Sequence, residues 1–184
     1  MLQIVKLNKE DYPNGKVITY QYQSDYYYDV RMISSERGWS VDLCVEKFEK
    51  TFQKKELGNL FDDDKDELEC YAALRDNREV GIITIAYASW NQSCVIWDLY
   101  VNEECKRQGI GRELIRFACK RAKELNSRMI TLETQTSNHP AIQFYLACGF
   151  TFIGLNVMSY SNQDIEKKEV RIELAQSLKG IMEQ

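Results

Sequence analysis

Two prolines, nine glycines and a single histidine stand among 184 residues. So little proline and glycine argues against a long linker or a low-complexity segment. One histidine, His139, excludes a multi-histidine metal site and leaves a Ser-His-Asp or Cys-His device with one candidate base. The six cysteines, at 44, 70, 94, 105, 119 and 148, contain no Cys-x-x-Cys pair and no zinc spacing. Buried, reduced thiols and no bound metal are the expectation. No apolar run approaches the ~18 residues of a membrane helix, and the first residues lack signal-peptide anatomy. The chain is therefore expected in the cytoplasm, with no membrane partner. A net charge of −4 argues against a nucleic-acid partner, which needs clustered Lys and Arg, and suits a cationic one.

What remains is ordinary globular composition, 44% hydrophobic and 28% charged. The length predicts a single domain over residues 1–184. Residues 1–60 read as a strand and hairpin region. In it, residues 3–7 form a short strand. Tyr26, Tyr28, Val30 and Met32 alternate with polar residues, as do Trp39, Val41, Leu43 and Val45, which is the period of half-buried strands. Residues 35–38 are the turn between them; residues 12–28, rich in tyrosine, stay unassigned.

Six of the eight residues from 62 to 69 are acidic. They read as a solvated loop or as an attractor for a cationic substrate. Residues 70–75, 80–88 and 94–101 then form three strands joined by short turns, an antiparallel meander. Leu114, Phe117, Ala118, Ala122 and Leu125 recur at helical steps, so a helix runs from just after Gly111 to near Asn126. Residues 129–132 are a short strand. A second helix opens near Pro140 and closes before Gly149. Residues 150–160 and 166–174 alternate again as a hairpin. The order predicts an α+β fold: a mixed, mostly antiparallel twisted sheet flanked by helices.

Chemistry concentrates where strand 94–101 leads into Lys106-Arg107-Gln108-Gly109-Ile110-Gly111-Arg112. Glycines at a helix start let backbone amides approach an anion, and the helix end carries partial positive charge. The pattern is neither the Rossmann Gly-x-Gly-x-x-Gly nor a P-loop. About 27 residues after Gly111 comes Asn138, with Ala141 three later, Tyr145 seven later, then Gly149-Phe150.

Together these two motifs, in this order, resemble the acetyl-coenzyme A motifs of the GNAT acetyltransferase superfamily over residues 68–174. The stretch 132–135, the acidic run and the N-terminal hairpin are similar to streptothricin acetyltransferases. The resemblance implies acetyl-CoA as co-substrate. It implies that backbone groups of Leu99, Tyr100 and Val101 pair with the pantetheine arm. It also implies that amides of Arg107, Gln108, Gly109, Ile110, Gly111 and Arg112, with Lys106, hold the pyrophosphate. Asn138 would hydrogen-bond the pantetheine and Tyr145 would protonate the departing sulfur. Arg107 departs from the glycine often found there. The exposed strand edges of such a fold imply a homodimer.

The implied acceptor is a primary amine of a cationic small molecule, streptothricin being favoured. A polyamine, a protein amine, or a non-catalytic CoA-binding module are the alternatives. An amine needs a carboxylate to bind its ammonium and take its proton. Asp98 and Glu133 are the candidates for both tasks; either could instead be a solvated or ion-paired residue. His139 reads as a helix-start residue. No cysteine sits in a nucleophile's context, so direct transfer is expected.

Overall fold

A computed structural model describes residues 1–61 and 68–178. Residues 62–67, most of the acidic run, lie outside the described residues. The strands are β1 (Leu2–Leu7), β2 (Val17–Ser35), β3 (Gly38–Asn59), β4 (Glu69–Arg75), β5 (Arg78–Ala88), β6 (Ser93–Val101), β7 (Met129–Gln135), β8 (Thr151–Asn156) and β9 (Arg171–Ser177). Among the described residues two α-helices, α1 (Ile110–Glu124) and α2 (His139–Ala147), interrupt them. Hydrogen-bonded strand order is β1-β4-β5-β6-β7-β9-β8, with β2-β3 as a separate ribbon. Contacts divide the chain into two units. The first comprises Met1–Tyr20, Leu57–Leu132 and the chain from Ala175; the second comprises Gln21–Glu56 and Glu133–Leu174.

In the first unit, β1, β4, β5 and β6 pair antiparallel. The β4–β5 turn has Asp76 at φ 50° and Asn77 at φ 60°. Two left-handed residues in succession match the twist of a tight hairpin, and Asp and Asn tolerate that torsion best after glycine. β6 then pairs parallel with β7, from Ser93↔Met129 to Ile96↔Leu132. A parallel pair needs a crossover, and α1 supplies it. Ile110, Leu114, Ile115, Ala118 and Ala122 form the buried stripe of α1, which packs on β5 and β6. β5 is buried on both faces through Ile82, Ile83, Thr84 and Ile85. Ile18, Leu60, Cys70 and Ile82 form a second cluster, covered by Leu7, Tyr20, Phe61 and Tyr100. Glu69 sits in β4, where Arg121 grips it with two bonds of 2.8 and 2.7 Å and Tyr71 donates a third.

In the second unit, the hairpin expected around residues 35–38 is present, but its arms of 19 and 22 residues far exceed the expectation. Tyr27, Phe48, Phe52 and Tyr22 form a chain of ring contacts along it. The half-buried reading fails at the tip. Trp39, Val41 and Val45 alternate as a strand should, yet all three are exposed. The expected hairpin of residues 150–160 and 166–174 corresponds to β8 and β9, which are hydrogen-bonded neighbours. Among the cysteines only Cys70 and Cys94 are buried; the other four are half-buried, and all six are free thiols.

Candidate functional site

The first unit carries the glycine loop. After β6 comes a single turn, Glu103–Cys105, then Lys106, Arg107, Gln108 and Gly109. Gly109 adopts φ 84° and starts α1 with no side-chain cap. The first amides of α1, on Ile110, Gly111 and Arg112, therefore open the helix as donors at its positive end. A Cβ at Gly109 would find no atom within 4 Å, so the loop leaves open space there. Arg107 adopts φ 61°, a left-handed torsion that costs a side-chain-bearing residue about 1–2 kcal/mol and glycine little. Lys106 Nζ lies 2.6 Å from Glu103. Gln108 donates to Glu104 O at 2.9 Å and accepts from Arg75 Nη1 at 2.6 Å. Arg75, at the end of β4, is thus a further cation at this loop. Nothing in the sequence near the motif points to it.

β6 changes phase between the two candidate tasks. Thr84 pairs with Asp98 but Ile85 pairs with Ile96, so Trp97 is an extra residue, a β-bulge. The ladder to β7 has Ile96↔Leu132 as its last pair. Leu99, Tyr100 and Val101 remain paired to Ile83, Ile82 and Gly81 on the β5 side. Asp98 accepts hydroxyl bonds from Tyr20 at 2.7 Å and from Thr84 at 2.5 Å. Burial first, and the Asp98 carboxylate second, push the Tyr20 phenol far above its ordinary range, so it stays a donor. Sequence reasoning does not reach Tyr20 and Thr84: strand pairing sets Thr84 opposite Asp98, whereas Tyr20 reaches it by a side-chain contact from the separate β2–β3 ribbon.

The second unit holds the remaining candidates. Asn138 caps α2: its Oδ1 accepts from Ala141 N at 3.3 Å. His139 begins the helix against the rings of Tyr26 and Tyr28, and burial lowers its pKa. Tyr145 is half-buried, in ring contact with Phe144 and Phe150. Gly149, at φ 91°, follows the end of α2. Glu133 is paired with Arg171 Nη1 at 2.7 Å, and the Tyr160 hydroxyl reaches it at 3.4 Å. Tyr160 also accepts from Gln135 Nε2 at 3.1 Å.

Beside this group lies a polar cavity of 280 Å³, lined among others by Lys54, Glu56, Gln135, Tyr160 and Glu169. Lys54 bridges Glu169 at 2.5 Å and Glu56 at 3.1 Å. Burial pulls the Lys54 pKa down, but its bonds to the two carboxylates outweigh burial and raise it. Burial pushes the Cys94 thiol up to about 12, and Cys148 stands half-buried at the C-terminal cap of α2.

The residues that fit a nucleotide-bearing thioester are therefore present: an uncapped helix start behind a left-handed glycine, flanking cations, and a bulged strand. Comparison with known proteins agrees. The model of the acetyltransferase (GNAT) family matches residues 18–150. A streptothricin acetyltransferase of Escherichia coli is 38% identical over 103 residues, 55% of this chain and 59% of that protein. The chain thus spans little more than half the length of that relative. Streptothricin acetyltransferase A of Bacillus subtilis is 33% identical over 171 residues, covering 88% of this chain and 91% of the relative. A Bacillus anthracis protein solved in complex with acetyl coenzyme A superposes with a TM-score of 0.75, at 27% identity, over 96% of this chain and 97% of that one. The chain belongs to the acetyltransferase (GNAT) family.

Proposed function

We propose that this protein transfers an acetyl group from acetyl-CoA to a primary amine of a cationic small molecule, streptothricin, without a covalent enzyme intermediate. The observation that carries the reading is the start of α1. There a left-handed Gly109 leaves open space in front of uncapped helix amides, the arrangement that binds a diphosphate. The amides from Arg107 to Arg112 take the pyrophosphate, with Lys106 and Arg75 adding charge. Leu99, Tyr100 and Val101 offer backbone groups to the pantetheine, and Asn138 adds a side-chain amide.

Acetyl-CoA supplies an activated thioester. The chain's residues must prepare the amine. A lysine-like amine of pKa ~10.4 costs roughly 4.6 kcal/mol to deprotonate at pH 7. Asp98 and Glu133 are the carboxylates for binding the ammonium and receiving its proton. Asp98 is held in place by Tyr20 and Thr84; Glu133 is oriented by Arg171. A backbone N–H of the Leu99–Val101 strand would face the developing oxyanion. Tyr145 Oη would give its proton to the leaving sulfur. The cavity, lined by Lys54, Glu56, Tyr160, Lys167 and Glu169 among others, suits the acceptor's other polar groups, and it reaches Glu133 through Tyr160.

The test is thiol release from acetyl-CoA with streptothricin, spermidine, an aminoglycoside and a lysine peptide. Release with streptothricin is expected. Release only with spermidine or the peptide would reject the acceptor and keep the reaction. Release with none of them, together with no calorimetric binding of acetyl-CoA, would overturn the reading.

A further inference from the structure

Helix α2 carries two residues of the proposed chemistry, Asn138 at its cap and Tyr145 about two turns on. Little apolar burial fixes it. Of its nine residues only Ile142 is buried, against five residues of α1. A helix in a folded chain is ordinarily held by an apolar face packed on its neighbours. The link from β7 into α2 is polar as well, and Thr136 and Ser137 are both 0% exposed. Buried hydroxyls need partners. Theirs determine where Asn138 stands.

Those partners come largely from β2. The Tyr22 and Ser137 hydroxyls bond each other at 2.8 Å, across 115 positions of the chain. The Tyr28 amide donates to Thr136 O at 3.0 Å. Gln143 Nε2, one turn into α2, donates to Tyr28 Oη at 2.8 Å. The rings of Tyr26 and Tyr28 lie 5.6 and 5.7 Å from that of His139. The segment before β9 completes the grip: Thr136 Oγ1 donates to Lys168 O at 2.8 Å and accepts from Val170 N at 3.1 Å. Asn138 is thus preceded and followed by residues that β2 holds. Its own Oδ1 is committed to the helix cap, accepting from Ala141 N. That leaves Nδ2 as the group to donate to a pantetheine carbonyl. Such a bond tolerates only about 2.7–3.2 Å between heavy atoms, so a small shift of the link would weaken it.

We propose that Tyr22 and Tyr28 are positioning residues for the cofactor. Tyr22 acts through Ser137, and Tyr28 through Thr136 and Gln143, to set Asn138 where it meets the pantetheine. The end of the tyrosine-rich stretch thereby acquires a task in binding acetyl-CoA. The inference rests on the reading of Asn138 as a pantetheine ligand.

Calorimetric titration of acetyl-CoA into the full chain tests it and requires no acceptor. Tyr22→Phe removes the hydroxyl that Ser137 needs. Tyr28→Phe removes the acceptor of Gln143 and keeps both the ring on His139 and the amide bond to Thr136. Each variant should bind acetyl-CoA about three- to tenfold more weakly, the share of one net hydrogen bond, with unchanged far-ultraviolet circular dichroism. A double-mutant cycle with Asn138→Ala separates positioning from general stabilisation. Asn138→Ala should itself weaken binding, and in that background neither tyrosine substitution should weaken it further. Tyrosine effects of equal size with and without Asn138 overturn the proposal. So does unchanged affinity in both tyrosine variants. An Asn138→Ala protein that binds acetyl-CoA as tightly as the parent locates the failure in the reading of Asn138, and the proposal falls with it.

Discussion

Gly81→Ala is the smallest change that joins the fold to the proposed chemistry. Gly81 lies on β5 opposite Val101 of β6. A Cβ there would stand 2.7 Å from the backbone oxygen of Tyr100, 3.2 Å from Leu114 and 3.4 Å from Ile110. Ordinary contact begins at 3.4 Å, so β5 and β6 must part by about 0.7 Å. A carbonyl oxygen cannot rotate away as a side-chain tip would. Overpacking of this kind costs about 1–3 kcal/mol, and the upper half of that range is expected. The atoms displaced belong to the strand offered to the pantetheine and to the helix offered to the pyrophosphate. Acetyl-CoA affinity should therefore fall with stability. Urea denaturation gives the first quantity and calorimetric titration the second. Gly109→Ala is the control. Its Cβ meets nothing, but φ 84° charges it a torsional cost of about 1 kcal/mol. Stability of Gly81→Ala within 0.5 kcal/mol of the parent, a margin typical of surface changes, with unchanged affinity, would refute the packing argument.

Tyr145→Phe should lower turnover by at least about tenfold, within the ~10²–10⁴ typical of general acids, while leaving acetyl-CoA affinity unchanged. Turnover within twofold of the parent would remove Tyr145 as the proton donor. Asp98→Asn or Glu133→Gln should abolish the acidic limb of the kcat/KM–pH profile, whichever is the base. Profiles unaltered in both variants would leave neither carboxylate in that role. The Arg121 bonds, the largest cause, hold Glu69 below the usual carboxylate range, with Tyr71 assisting against burial. A depressed carboxylate stabilises the fold above the unfolded pKa of ~4.3, and that contribution disappears as pH falls through the folded value. Glu69→Gln should thus cost about 1–3 kcal/mol at pH 7, and the gap to the parent should close below pH ~4. A gap independent of pH would refute the ion-pair account.

Much of the fold was legible because local chemistry and periodicity agree. The meander of β4, β5 and β6 follows from apolar runs separated by turn residues such as Asp76-Asn77. The stripe Leu114, Ala118, Ala122 specified the buried face of α1, and Pro140 with Gly149 bracketed α2. The glycine loop and Asn138-to-Phe150 spacing were visible as motifs. The length of β2 and β3 was not. Residues 46–56 of β3 carry charges at odd and even positions alike (Glu46, Lys47, Glu49, Lys50, Lys54, Lys55 and Glu56), so that stretch shows no alternating hydrophobic period. The tertiary structure alone decided which groups touch. Asp98 meets Tyr20 and Thr84, Gln108 meets Arg75, and Lys54 meets Glu169 across 115 positions. The bulge at Trp97 is likewise a property of strand register. Such contacts depend on pairing between distant segments, and a single strand's sequence encodes its own alternation but not its neighbour's phase.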